Sequence, residues 1–238
     1  MAERNSDGTS VRTGPGPDDA ALLARNPLFA SLDPSRLHNL LADARVRTIE
    51  RNETLFIQDE PATAFFLVLA GWVKIYRLSA HGEESIINVF TRGESFAEAA
   101  IFEAGTYPVT AQAAEPSRLL VIPAASFLEK LRHDPDLCFN IMGSMSRHLR
   151  ALVGQVEQLT TKSSAQRLAA FLLRLSPQRK GAIELHLPVD KSLIAGRLGM
   201  QPETLSRSFS KLRMLGVETD QNRIAIADVE ALRVFTRD

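Results

Sequence analysis

The chain has 238 residues, 45% of them hydrophobic and 24% charged, and its 28 Lys+Arg balance its 28 Asp+Glu. That makeup belongs to a soluble globular protein of one large or two ordinary domains. No apolar run approaches the roughly 18 residues a membrane span needs, and MAERNSDGTSVRTGPGPDD lacks the apolar centre of a signal peptide. The expectation is a cytoplasmic protein with no membrane partner, and the single cysteine, Cys138, excludes an internal disulfide, an iron–sulfur cluster or any site built from several thiolates.

Residues 1–19, rich in Gly, Pro, Ser and charge, read as a disordered tail. Short helices follow to about Asp43, one of them capped by Asp33 and started by Pro34. From 46 to 123 the pattern changes to short β-like runs at 48–57, 64–69, 72–78, 85–90, 109–113 and 119–122, separated by turns such as AHGEE and TRGES. Strands at this spacing predict an antiparallel roll or barrel, so the fold class is α+β, with the roll as a sensor domain over 20–133.

After a helix at 123–131, Asp134–Pro135 reads as an N-cap and first helical residue. The long helix behind it occupies 134–160. Met142, Leu149 and Val156 recur every seven residues, as do Met145, Leu152 and Leu159. This a/d pattern over about three heptads predicts a homodimer seam. Packing on the helix's own domain is the alternative.

The third region, 161–238, begins at a polar break, 160–163, where a hinge is expected. A helix at 165–175 and a strand in IELHLPV precede a short helix, KSLIAGRL, capped by Asp190. Gly199 ends that helix, Met200 and Gln201 turn, and Pro202 opens a second helix running to about Leu215. VETDQNRIAIAD then reads as a two-stranded wing. Helix, short turn with Gly, helix is the helix-turn-helix pattern, whose second helix enters the major groove of double-stranded DNA.

Charge supports that reading. Residues 1–159 carry 15 Lys+Arg against 20 Asp+Glu, residues 160–215 carry 10 against 3, and 216–238 carry 3 against 5. A basic segment behind an acidic body is an electrostatic footprint for phosphate. In QPETLSRSFSKL, Leu205, Phe209 and Leu212 fall on one helical face and a polar row on the other. The candidate DNA-binding residues are Gln201, Glu203, Thr204, Ser206, Arg207, Ser210 and Lys211. Arg can donate two parallel hydrogen bonds to guanine O6 and N7, and Glu can accept from cytosine N4. Ser210 and Lys211 are better placed for phosphates. An exposed face with a simple Glu203–Arg207 pair is the plain alternative.

The order of β-roll, long helix and winged helix-turn-helix resembles the Crp/Fnr family of bacterial transcription regulators. PETLSR is similar to the Fnr-type recognition helix, whose E-x-x-S-R falls on Glu203, Ser206 and Arg207. GWVKIYRLSAHGEE, SFAEAAIF and QPETLSR further resemble the Dnr subgroup, which senses nitric oxide through haem. The resemblance implies a dimer, RNA polymerase as a partner, an inverted repeat similar to TTGAT…ATCAA, and an effector at the roll.

Three effector readings stand side by side. For cyclic nucleotide, Glu98 matches the family's ribose-contacting Glu, but no basic residue stands near Tyr107 or Val109 where the phosphate Arg belongs. Haem has candidate ligands in His38, His81, His133, His148, Met142, Met145 and Cys138, with no spacing that selects one. A small apolar or anionic effector, or none, is the third. No GxxxxGK[ST], GxSxG or HExxH motif is present, so no enzymatic role and no catalytic residue is expected. The runner-up function is a ligand-binding module or cyclic-nucleotide sensor that no longer reads DNA sequence.

Overall fold

Strand residues 64–70, AFFLVLA, are apolar throughout because both faces of the strand are covered. The structure, a computed structural model, describes residues 3–4, 10–13, 16–79, 83–103, 105–159, 162–176, 178–188 and 190–236. Of these, 3–4, 10–13, 17, 18, 148 and 151–159 are described by their backbone alone. The chain divides into two compact units, Met1–Ala151 and Leu152–Asp238.

In chain order the first unit contains β1 (Glu3–Arg4), β2 (Ser10–Thr13), α1 (Pro17–Leu23), α2 (Pro34–Leu40), β3 (Arg45–Ile49), β4 (Thr54–Phe56), β5 (Ala64–Ala70) and β6 (Trp72–Leu78). Then come β7 (Glu84–Thr91), β8 (Ser95–Phe96), α3 (Glu98–Phe102), β9 (Thr110–Ala113), β10 (Ser117–Pro123), α4 (Ala124–His133) and the start of α5 (Pro135–Leu159). One sheet has the order β1-β2-β3-β10-β5-β8 and the other β4-β9-β6-β7. The strands of both sheets pair antiparallel among the described residues; Leu120 of β10, for example, lies opposite both Val46 and Leu67.

Strand β5 feeds two cores. Phe65, Leu67 and Leu69 join Phe29, Phe127, Leu137 and Ile141 between the six-stranded sheet and the helices. Phe66 and Val68 join Phe56, Phe96 and Leu119 inside the roll. Each such fully buried side chain contributes about 1.5–3 kcal/mol relative to exposure.

Local chemistry sets the helix starts. The Asp33 carboxylate accepts from the Ser35 and Arg36 amides, each at 3.0 Å, ahead of Pro34. Asp134 accepts from the Leu137 amide at 3.0 Å, ahead of Pro135. Both aspartates satisfy amides that a helix leaves unpaired at its first turn.

The second unit contains α6 (Ser164–Leu175), β11 (Ile183–His186), α7 (Lys191–Arg197), α8 (Pro202–Leu212), β12 (Val217–Asp220), β13 (Arg223–Ile226) and α9 (Val229–Phe235). Ser163 and Gln166 form a reciprocal cap at the start of α6. Leu168, Ala169, Phe171 and Leu172 give α6 its buried face. The three-stranded sheet has the order β11-β13-β12.

Four expectations need correction. The tail is not wholly irregular, because Val11–Thr13 of β2 pair with β3 and Pro17 opens a helix. The run 48–57 is two strands, broken where Asn52 takes a left-handed φ of 66°. The helix expected to reach Leu215 is α-helical only to Leu212, and a 3₁₀ turn covers Arg213–Leu215. Helices α3 and α9 are additional. The hinge position is described only at Lys162 and Ser163; Thr160 and Thr161 lie outside the described residues.

Candidate nucleic-acid interface

Asp190 caps α7 by accepting from the Ser192 amide at 2.9 Å, and Leu193, Ile194 and Ala195 turn inward. Gly199 then adopts φ +60°, a region that favours glycine, and the Met200 amide returns to the Ala195 carbonyl at 3.0 Å. Gln201 stays extended as the N-cap without spending its side chain on capping, and Pro202 fixes the first turn of α8.

The apolar side of α8 is buried: Leu205 is 1% exposed, Phe209 8% and Leu212 0%. Ser208 is buried with them and donates to the Thr204 carbonyl at 2.7 Å. The opposite face is open. Gln201, Glu203, Ser206, Arg207, Ser210 and Lys211 are all exposed, and Thr204 is half-buried at the border. Arg207 Nε donates to the backbone carbonyl of Glu203 at 3.4 Å, so this bond bypasses the Glu203 carboxylate. Ser210 donates to the Ser206 carbonyl at 3.2 Å.

The basic segment does two jobs. The Arg174 and Arg197 guanidiniums lie 5.8 and 5.6 Å from the centre of the buried Phe171 ring, and these cation–π contacts serve the core. Arg179, Lys180, Lys191, Arg207, Lys211 and Arg213 are exposed. The wing pairs Val217–Asp220 with Arg223–Ile226, and Gln221 at its tip has φ 50°. Sequence reading missed one feature of this sheet. Arg223 Nε and Nη2 reach the two Glu184 carboxylate oxygens at 2.9 and 2.5 Å. That bond holds the Glu184 carboxyl below its ordinary range and raises Arg223. The partners are 39 residues apart, and no local pattern links them.

In the roll, Glu98 is half-buried at the first position of α3, where Oε1 accepts from Ser95 Oγ at 3.1 Å. The Tyr107 ring is stacked on Phe56 with centroids 3.7 Å apart, and its hydroxyl donates to the Ala64 carbonyl at 2.7 Å. Phe66, Phe90 and Phe96 continue the cluster. Nearby, the Arg77 guanidinium donates to the Pro108 carbonyl at 3.2 Å. Rings fill the interior beside a segment that offers no cation of its own at 107–109.

Among the described residues no three His, Cys, Asp or Glu side chains gather as a metal site. His38 is exposed on α2, Cys138 Sγ contacts the Leu131 carbonyl at 3.0 Å, and His133 Nδ1 lies 2.8 Å from the Glu129 carbonyl. His81 and the His148 side chain lie outside the described residues.

Helix α5 shows two apolar faces. Leu137, Ile141 and Ser144 are buried, and Ser144 donates to the Pro27 carbonyl. Roughly 100° round the helix, Met142, Met145 and Leu149 stand 54%, 42% and 62% exposed. Phe139, absent from the heptad reading, extends that stripe at 69%. The side chains of Leu152, Val156 and Leu159 lie outside the described ones. No described helix is long and apolar enough to cross a membrane.

Residues 46–134 match the family model of the cyclic nucleotide-binding domain, and residues 166–235 match that of the Crp-like helix-turn-helix domain. Over 189 residues the chain is 30% identical to the transcriptional activator protein FnrA of Stutzerimonas stutzeri, covering 77% of each protein. The chain belongs to the Crp/Fnr family of transcription regulators. Another family member, the cyclic AMP receptor protein of Thermus thermophilus, is 27% identical over 192 residues, 81% of this chain and 88% of that protein. Among solved structures, DNR from Pseudomonas aeruginosa is 34% identical with a TM-score of 0.56, covering 90% of this chain and 96% of its own. A Ruegeria pomeroyi protein described as a proposed cyclic nucleotide binder is 43% identical with a TM-score of 0.85, over 93% of this chain and 98% of that one. The relatives are regulators of transcription, not enzymes, and the Crp/Fnr fold places a β-roll before a DNA-binding domain.

Proposed function

We propose that this Crp/Fnr regulator acts as a homodimer that reads an inverted repeat similar to TTGAT…ATCAA through α8 of each subunit. The observation that carries the proposal is the open face of α8. Glu203, Ser206 and Arg207 stand in solvent at the first two turns of a helix whose other side is fixed in the core. An N-terminal recognition turn meets base edges first. Arg207 reads guanine, Glu203 accepts from cytosine, Gln201, Thr204 and Ser206 serve neighbouring bases, and Ser210 and Lys211 hold phosphates.

The exposed stripe of Phe139, Met142, Met145 and Leu149 supports dimerisation through α5. A dimer presents its recognition helices roughly 34–36 Å apart, one helical turn of DNA. An effector at the roll switches binding by shifting the population of competent arrangements, and RNA polymerase is the partner reached from the DNA-bound state. A cyclic nucleotide is disfavoured as that effector, because segment 107–109 contributes no basic residue of its own, the Arg77 guanidinium beside it is bonded to the Pro108 carbonyl, and the rings occupy the interior. Haem with nitric oxide is carried by the Dnr resemblance alone. An absorption spectrum of the purified protein with and without haem tests it, a stoichiometric Soret band being the supporting result.

The principal test measures binding to the palindrome and to a scrambled duplex by fluorescence anisotropy at fixed salt. The expected result is a strong preference for the palindrome, reduced in Arg207→Ala by about 1–3 kcal/mol of discrimination with little change on the scrambled duplex. Equal losses on both duplexes would remove Arg207 from base reading. A monomer at working concentration, by sedimentation, would remove the paired-helix geometry.

A further inference from the structure

We propose that the cavity between α2, α4 and the start of α5 binds a small organic dianion, a phosphate monoester or a dicarboxylate. The cavity has a volume of about 250 Å³ and lies wholly within the first unit. Arg36 and Asn39 reach it from α2, and Lys130 and His133 from α4. Leu40 and Leu137, 3% and 5% exposed, form apolar walls. A guanidinium, an ammonium and an amide, each able to donate to an oxyanion, therefore line one concave space, beside a His133 whose Nδ1 faces the Glu129 carbonyl.

The anions now facing these cations are weak competitors. Asp43 holds Lys130 Nζ at 2.6 Å and Asp33 holds Arg36 Nε at 3.6 Å, yet both carboxylates remain more than half exposed, at 53% and 55%. Exposed pairs of that kind contribute little. Asp134 also lines the cavity, and one of its oxygens is committed to the Leu137 amide at 3.0 Å. A ligand dianion entering the cavity competes with Asp43 for Lys130 and engages Arg36 bidentately, which Asp33, held as the cap of α2, does not do here. Lys130 also reaches the Leu40 carbonyl at 3.4 Å, so its ammonium is already aimed at the wall of the cavity.

The size sets the class. The volume is below that of drug-sized pockets, and the donors, Arg36 and Asn39 from α2 and Lys130 from α4, come from two helices, which suits a compact ligand charged at one or both ends. Such a ligand would clamp α2 and α4 at the root of the helix that carries the exposed apolar stripe. The inference stands apart from the DNA reading, since binding alone tests it.

The experiment titrates glycerol 3-phosphate and, separately, succinate into the full chain by calorimetry, with sodium chloride at matched ionic strength as the control. Saturable binding of at least one dianion with Kd of about 1 mM or tighter is expected, weakened about tenfold in Arg36→Gln and unchanged in Ser95→Ala in the roll. Lys130→Gln is the second variant, checked for folding by circular dichroism. The proposal is overturned by the absence of saturable heat from both dianions, or by binding that survives Arg36→Gln and Lys130→Gln undiminished.

Discussion

Helix α8 and segment 98–109 of the roll are the two places where the resemblance to Crp/Fnr regulators leads us to expect ligand contacts, and this chain treats them in opposite ways. On α8 the polar side chains stand in solvent, tied only by bonds such as Arg207 to the Glu203 carbonyl at 3.4 Å. In the roll, Tyr107 is buried, stacked on Phe56 and bonded to Ala64. One surface keeps its polar side chains in solvent, and in the other the Tyr107 hydroxyl is committed to the fold. Substitutions in the roll should therefore act on stability, and substitutions on α8 on binding.

The largest effect is expected from Phe56→Ala. Its ring touches Phe66, Phe96 and Tyr107 within 6.4 Å and is 4% exposed, so truncation leaves a cavity. A loss of about 3–5 kcal/mol is expected in urea unfolding of the first unit, with the second unit's transition unmoved. Smaller, and of the other kind, is Lys211→Ala. Its exposed ammonium should leave stability within about 0.5 kcal/mol, weaken binding to every duplex, and reduce the salt slope by about one. A Lys211 variant that unfolds early while binding normally would break the comparison.

The same contrast explains what could be read from sequence. Alternating apolar residues, and Asp–Pro pairs at 33–34 and 134–135, announced strands and helix starts through purely local chemistry. The polar row of α8 was legible because its spacing and its Gly199–Pro202 approach lie within a few residues. Tyr107 carried no such signal: a tyrosine in TYPV becomes a core ring only when β4 brings Phe56 against it. Phe139 escaped the heptad reading because α5 buries one face on its own unit and leaves a second apolar face beside it. The Asn52 break was missed because 48–57 keeps strand-like composition through a residue with φ 66°.

The finest test of the comparison is the pH dependence of Tyr107. Burial raises its pKa above the ordinary tyrosine value, more than the hydrogen bond its oxygen accepts from the Ala64 amide at 3.3 Å lowers it. In the unfolded chain the phenol ionises near pH 10, while the folded protein still holds the proton. Between those two pKa values the unfolded state binds fewer protons, so stability falls as pH rises. The contribution is fully present below about pH 10 and is lost as pH climbs through the raised folded value. Tyr107→Phe should lower stability at neutral pH by about 1–3 kcal/mol, since the buried Ala64 carbonyl loses its donor. It should also flatten the alkaline limb, without abolishing it, because Tyr76 is raised as well, by burial and then by Glu84. Urea midpoints of the first unit at pH 8 and pH 10.5 measure both effects. An alkaline limb identical in the two proteins would mean that the Tyr107 phenol is not sealed in the roll, and that this segment is open to ligands as α8 is.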